Sequence, residues 1–179
     1  KRPIERLEPP GIVVIPLQQH IGAPCEAVVE VGEKIKKGQK IGESKGFVGA
    51  PIHSSVSGVV KSISKMPHPT LGECMAITIE NDGLEELDNS IQGESLDSLS
   101  SKELIEVIRE AGIVGMGGAT FPTHVKLSPP PGKEIDTVIL NGAECEPYLT
   151  TDHRLMVEYP DDIIYGLRAI MKILNVKRA

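Results

Sequence analysis

Tryptophan is absent from this 179-residue chain, and with two Phe and three Tyr its aromatics amount to 3%. Any core it builds must rest on Ile, Val, Leu and Ala packing. Cysteine is scarce as well. Cys25, Cys74 and Cys145 are widely spaced, and no Cys-x-x-Cys pair occurs. That spacing excludes the usual zinc and iron–sulfur motifs from this chain's own cysteines, so no metal ligand is assigned. Reduced thiols are the expectation. No apolar run approaches the length of a membrane span and no signal-peptide pattern is present, so no direct membrane insertion is expected. Positive charge is outnumbered, 19 Lys and Arg against 25 Asp and Glu. The local cluster Lys34, Lys36, Lys37 and Lys40 alternates with Gly and apolar residues, as a solvated turn does. That balance argues against nucleic-acid binding.

What is present falls into two modules. Residues 1 to about 10 are basic and proline-bearing and read as an extended arm. From Gly11 to about Asn81, short Val/Ile runs (12–15, 27–31, 56–63 and 75–80) alternate with Gly, Pro and Ser turns, which predicts a small all-β module. Residues 82 to about 98 are acidic and Ser-rich, a linker or surface loop. A helix is predicted over 100–111, with Ser100 and Glu103 as a capping box, Leu104, Ile105, Val107 and Ile108 as its apolar stripe, and Gly112 as its stop. A short buried strand is predicted at 137–140. A second helix is predicted over 160–174, with Pro160 in its first turn and Ile163, Ile164, Leu167, Ile170 and Leu174 on one face. The order helix, loop, strand, loop, helix predicts an α/β layer, and the missing strand after Val176 predicts that it is truncated. The fold class is therefore α+β or α/β: a β-module with arm and linker over 1–98, then part of an α/β domain over 99–179.

Between helix and strand lies Gly115-Met116-Gly117-Gly118-Ala119-Thr120-Phe121-Pro122-Thr123-His124-Val125-Lys126. Its glycines let backbone approach a ligand closely. Pro122 presets a helical first turn, and Lys126 follows one turn later, where its ammonium can meet an anion. This is the pattern of a phosphate cradle at a helix start, although it is neither a Walker loop nor the GxGxxG dinucleotide motif. After the predicted strand comes Asn141-Gly142-Ala143-Glu144-Cys145-Glu146-Pro147-Tyr148. Two carboxylates two residues apart at a strand end can enter one cleft, the place where α/β sheets hold ligands. A lone Glu-x-Glu also suits a solvated acidic turn, and the neighbouring glycine loop favours the cleft. Cys145 is expected to be small and buried.

Two resemblances follow from these residues. Val29 to Ile41 resembles the VxxGDxVxxGQxL half of biotinyl and lipoyl domains, and Ala50-Pro51 with Val56 to Val60 resembles the other half. This implies a flattened barrel. Lys45 stands nearest the modified lysine of such carriers but lacks the preceding acidic residue, so an unmodified structural barrel is expected. His53 is expected to be a turn residue.

The two loops together resemble the flavin domain of the NADH-oxidising flavoprotein of respiratory complex I, which reads GRGGAGFPTGxKW and NADESEPG. They are more similar to the RnfC family of the Rnf complexes, membrane-bound ion-translocating ferredoxin:NAD oxidoreductases. His20-Ile21-Gly22-Ala23-Pro24, the segment from Ala50 to Gly58, and Asn141 to Met156 carry that likeness too. Met116, Ala143 and Tyr148 depart from the complex I pattern.

The resemblance implies FMN and NAD(H) as cofactors, with the flavin rather than any catalytic side chain carrying the chemistry. Backbone around Gly115, Gly117 and Gly118 would approach the FMN and nucleotide. Lys126 would hold the FMN phosphate and Phe121 would flank the nucleotide. Asn141 would hydrogen-bond the flavin or its ribityl chain, and Glu144 and Glu146 would line the nicotinamide side. Four-iron four-sulfur clusters would belong to the full-length parent alone. The implied partners are other Rnf subunits, NADH and, indirectly, ferredoxin, and the implied location is the cytoplasmic face of the membrane. This chain by itself is expected to bind FMN and NADH weakly or not at all and to be inactive. The alternatives are a related flavoprotein (a microcompartment cobalamin reductase or the A subunit of the sodium-pumping quinone reductase) or a non-catalytic docking module.

Overall fold

The structure, a computed structural model, describes every residue except Lys1, Gln92, Glu94 and Gly117. Its elements run β1 (Ile12–Pro16), β2 (Glu26–Ala27), β3 (Lys34–Ile35), β4 (Lys40–Glu43), β5 (Ile52–His53), β6 (Gly58–His68), β7 (Gly72–Asn81), α1 (Ser101–Glu110), α2 (Thr123–Lys126), α3 (Thr151–Glu158) and α4 (Pro160–Leu174). Contacts group Pro9–Glu94 with Glu106–Ser128 as one compact unit, and Lys1–Glu8 with Ser95–Ile105 and Pro129–Ala179 as another.

The first unit is the barrel. Its strands form a four-stranded sheet in the order β1-β7-β6-β3 and a three-stranded sheet in the order β2-β4-β5, with every pairing antiparallel. Alternating residues turn inward, as the two-residue side-chain period requires. Ile77 and Ile79 are fully buried on either side of Thr78, and Ile15, Ile35 and Val60 join them from the same sheet. Ile41 and Ile52 meet them from the other sheet, so the core is aliphatic. At Gly58, φ is +156° and a Cβ would collide with the Glu80 carbonyl, so only glycine allows β6 to leave the turn beside β7.

Two expected runs differ in extent. The run over 27–31 is strand only at Ala27, because Glu33 N–H turns back onto Glu30 O at 3.1 Å. The last long hairpin is larger than expected, reaching His68 and Gly72. Pro67 is tolerated in it because β3 pairs with β6 only at Gly58 and Val59, leaving the rest of that side without a partner strand. His68 Nδ1 accepts the N–H groups of Thr70 and Leu71, both at 3.2 Å, and so closes the hairpin loop.

In the helical elements, the capping box is present. Ser100 N–H donates to Glu103 Oε2 at 2.7 Å, and Glu103 N–H donates to Ser100 Oγ at 3.3 Å. Helix α4 begins at Pro160 and ends at Leu174, capped by Asn175 at a left-handed φ of +54°. Its inward face centres on Ile173, while Ile164, expected on that face, is exposed. The expected buried strand at 137–140 does not form. Thr137 makes one parallel bridge, to Arg178, and Ile139 and Leu140 lie exposed. A strand needs a ladder on its flank, and among the described residues a single bridge is all this segment finds. Helix α3 was not expected from the sequence.

Candidate functional site

The glycine loop belongs to the barrel unit. Val114 and Pro122 form an antiparallel bridge, Gly115 N–H donates to Phe121 O at 2.9 Å, and Thr123 N–H donates to Ile113 O at 3.0 Å. These ties close a tight loop. Thr120 turns through φ +51° inside it, Met116 is almost fully exposed at its tip, and Gly118 has open space around it. The Gly115 N–H is therefore engaged within the protein. Gly117 lies outside the described residues. Phe121 is half-buried.

Helix α2 is a single turn beginning after Pro122, and Lys126 is its last residue, exposed and without an ion pair among the described residues. The lysine lies where its spacing predicted, one turn beyond the loop. A single turn has little dipole of its own, so anion binding here would rest on Lys126 and the loop amides.

His124 had not been singled out from the sequence. It is 5% exposed, its backbone-directed hydrogen bond goes to Phe47, and its Nδ1 has no partner among the described residues. Burial pushes its pKa below the usual imidazole value, with the Phe47 contact opposing and Arg109 reinforcing. The spacing that could have flagged it is Pro122, His124 and Leu127, all buried on one side of a turn that leaves Lys126 outside.

The barrel wall beneath this segment joins two stretches that share the family likeness. His20 Nδ1–H donates to Ile21 O and its Nε2 accepts the Ala50 N–H, each at 3.1 Å, so one tautomer satisfies both. Cys25 Sγ donates to Ala50 O at 3.2 Å, and burial raises the Cys25 thiol to about 11, with Glu43 adding to the effect. His53 lies half-buried on β5. Burial lowers its pKa, Lys40 lowers it further, and Glu110 opposes both. A cavity of about 110 Å³ lies here, lined by Gln19, His20, Pro51, His53, Gly112 and Val114. Lys45, the carrier-like position, is exposed and pairs with Glu26 at 2.7 Å.

The acidic loop belongs to the other unit. Asn141 is exposed, and its Oδ1 accepts the Ala143 N–H at 3.0 Å. Gly142 lies against Met156, and a Cβ there would stand 2.9 Å from its sulfur. Glu144 turns back onto α3. Its two carboxylate oxygens accept the N–H groups of Thr151 and His153, both at 3.0 Å. Glu146 is exposed, and Tyr148 is fully exposed with φ +66°. Cys145 is exposed, contrary to expectation. The loop presents it outward because the neighbouring positions, Glu144 and Gly142, are the ones held against α3.

Among the described residues, no group of three or more His, Cys, Asp or Glu could hold a metal ion. Within the glycine-loop unit, Lys126 is exposed and Gly118 has open space around it.

A barrel sandwich followed by a glycine loop and an acidic loop defines a two-module architecture, and comparison with known proteins finds the same order of modules. Residues 1–84 match the family described as the RnfC barrel sandwich hybrid domain, and residues 108–179 match the Nuo51 FMN-binding domain. The C subunit of the proton-translocating ferredoxin:NAD(+) oxidoreductase complex of Clostridium ljungdahlii is 55% identical over 179 residues, covering 99% of this chain and 39% of that protein. Its Na(+)-translocating counterpart in Acetobacterium woodii is 46% identical over 170 residues, 94% of this chain and 38% of that protein. The C subunit of the ion-translocating oxidoreductase complex of Pseudomonas aeruginosa is 42% identical over 163 residues, 90% of this chain and 21% of that protein. The chain belongs to the RnfC family, and it spans well under half the length of these relatives. No helix among the described residues is long and apolar enough to cross a membrane.

Proposed function

We propose that this chain supplies the nucleotide-facing loops of an electron-transfer subunit in a membrane-bound, ion-translocating ferredoxin:NAD oxidoreductase. In this reading residues 1–98 serve as the barrel with its arm and linker, and residues 99–179 belong to the flavin domain. When bound, FMN supplies two-electron exchange with NAD(H) and one-electron exchange with iron–sulfur clusters, which are not assigned to this chain.

The chain's own residues bind and orient. Backbone around the glycine loop, at Gly115 and Gly118, would hold the flavin and nucleotide, and Lys126 would neutralise the FMN phosphate. Phe121 offers an apolar flank to the nucleotide. Asn141 would hydrogen-bond the flavin or its ribityl chain, and the loop carrying Glu144 and Glu146 would line the nicotinamide side. Partner subunits hold the chain at the cytoplasmic face of the membrane, with NADH as one electron carrier and ferredoxin reached indirectly.

Lys126 carries this reading. It is an exposed cation without an ion pair among the described residues, one turn past a glycine loop, inside the span that matches an FMN-binding domain. The test is visible flavin absorbance in the full-length protein and in its Lys126→Ala variant. Loss of a charge-assisted phosphate contact should weaken FMN binding about tenfold or more. Equal flavin retention by both proteins would overturn the reading.

A further inference from the structure

We infer that His124 is a positioning residue for flavin binding: it fixes the single turn of α2 against the barrel loop at Phe47 and thereby aims Lys126. The inference rests on the reading of Lys126 as the residue that holds the FMN phosphate.

A helix of one turn is too short to hold its own shape. In α2, Lys126 N–H donates to Pro122 O at 3.2 Å and Leu127 N–H donates to Thr123 O at 2.9 Å. The direction of such a turn depends on what it is packed against. Pro122, His124 and Leu127 are buried, and Lys126 is exposed. Residues two apart on a helix project about 200° from each other, so His124 and Lys126 occupy opposite sides of the turn. Fixing the first sets the direction of the second.

What fixes His124 is the barrel. Its ring meets the Phe47 backbone, and because Nδ1 has no partner among the described residues, that contact falls to Nε2. The contact raises the pKa of the ring, as a carbonyl accepting its N–H does. Phe47 lies in the loop between β4 and β5, which is itself held firmly. Ser44 Oγ donates to Ala23 O at 3.2 Å, Ala50 N–H donates to His20 Nε2 at 3.1 Å, and a Cβ on Gly22 would collide with the Val48 carbonyl. The same stretch of barrel seats the other stem of the glycine loop, where Gly112 lies against Pro51. All of these residues belong to one compact unit. Packing alone does not account for a histidine at 124. A buried ring nitrogen without a partner costs free energy that a leucine would not, and the Phe47 contact is what the imidazole adds.

The experiment uses the full-length protein freed of bound flavin, with FMN and riboflavin as probes, because riboflavin is the same flavin without the phosphate. Dissociation constants are read by flavin fluorescence titration. The parent should bind FMN about tenfold or more tighter than riboflavin, and Lys126→Ala should erase that preference. His124→Leu should weaken FMN several-fold and leave riboflavin unchanged. In the Lys126→Ala background it should add nothing, because both changes remove one interaction. His124→Gln, whose amide nitrogen reaches as far as Nε2, should keep the preference for FMN. His124→Asn, whose amide nitrogen stands nearer the place of Nδ1, should lose it, and this pair decides the matter if His124→Leu does not fold. An equal loss for FMN and riboflavin, an effect that persists beside Lys126→Ala, or unchanged FMN binding would overturn the positioning role and leave the Lys126 reading intact. If the parent shows no preference for FMN, or Lys126→Ala keeps it, the Lys126 reading fails and the positioning role fails with it.

Discussion

Gly112, the residue that stops α1, lies so close to Pro51 of the barrel that a Cβ there would collide with the Pro51 carbonyl oxygen and stand 3.2 Å from His53 Nδ1. Its φ of +68° is left-handed as well. Lys40 of β4 pairs with Glu110 two residues earlier, so the end of α1 is held to the barrel by a close backbone approach and an ion pair. The glycine loop begins only three residues beyond this seat, so the barrel sets where that loop starts.

Gly112→Ala should accordingly be among the more damaging single-methyl additions in the chain. The left-handed backbone costs an alanine about 1 kcal/mol or more, and the collision is with backbone, which cannot swing aside. We expect a loss of at least about 2 kcal/mol, read from urea denaturation midpoints. Gly132→Ala, also at positive φ but with open space around it, should cost only the backbone part.

Acid should destabilise the unit that contains the glycine loop. Burial lowers the pKa of both His124 and His53 from the ordinary 6.5. Each folded-state value therefore lies below the unfolded one, so these groups penalise the fold only where the unfolded chain takes up the proton first. Their stability contribution is whole above about pH 6.5 and falls as pH drops through the lowered folded values. Denaturation midpoints measured across that range should decline on the acid side. In His124→Leu the decline should be shallower, with His53 supplying what remains, and an unchanged slope would contradict this account.

Thiol reagents should separate the cysteines. Cys145 is exposed, Cys74 is half-buried, and Cys25 is buried with its thiol raised to about 11 by desolvation and by Glu43. The thiolate is the reacting form. Mass mapping after brief alkylation near neutral pH should find Cys145 labelled first and Cys25 last, with Cys25 reacting only once the barrel unfolds.

Features whose partners are near in sequence were legible before the fold was known. Ser100 and Glu103 cap α1 as their spacing requires, Pro160 opens α4, and Lys126 lies one turn past the glycine loop. Features that depend on a distant partner were not. The segment 137–140 has the composition of a strand, but a strand exists only beside another, and Thr137 finds a single bridge to Arg178. Helix α3 escaped notice because its cap comes from Glu144 rather than from the threonine at its start. His124 is one more polar residue in the sequence, and only the packing of α2 buries it, with its Nδ1 unpartnered among the described residues.

By itself the sequence determined the order of modules, the aliphatic character of the barrel core, and the presence of a glycine loop and an acidic loop. Those follow from short-range steric rules and side-chain chemistry, which act wherever the residues stand. Tertiary structure alone decided that the glycine loop is closed by Val114 and Pro122, that its stem is seated on Pro51 and His53, and that of two similar glutamates one is bound to a helix and one faces outward. The reason is that a hydrogen bond or a collision depends on where the second group lies, and only the folded chain brings Pro51 to Gly112 or the first amides of α3 to Glu144.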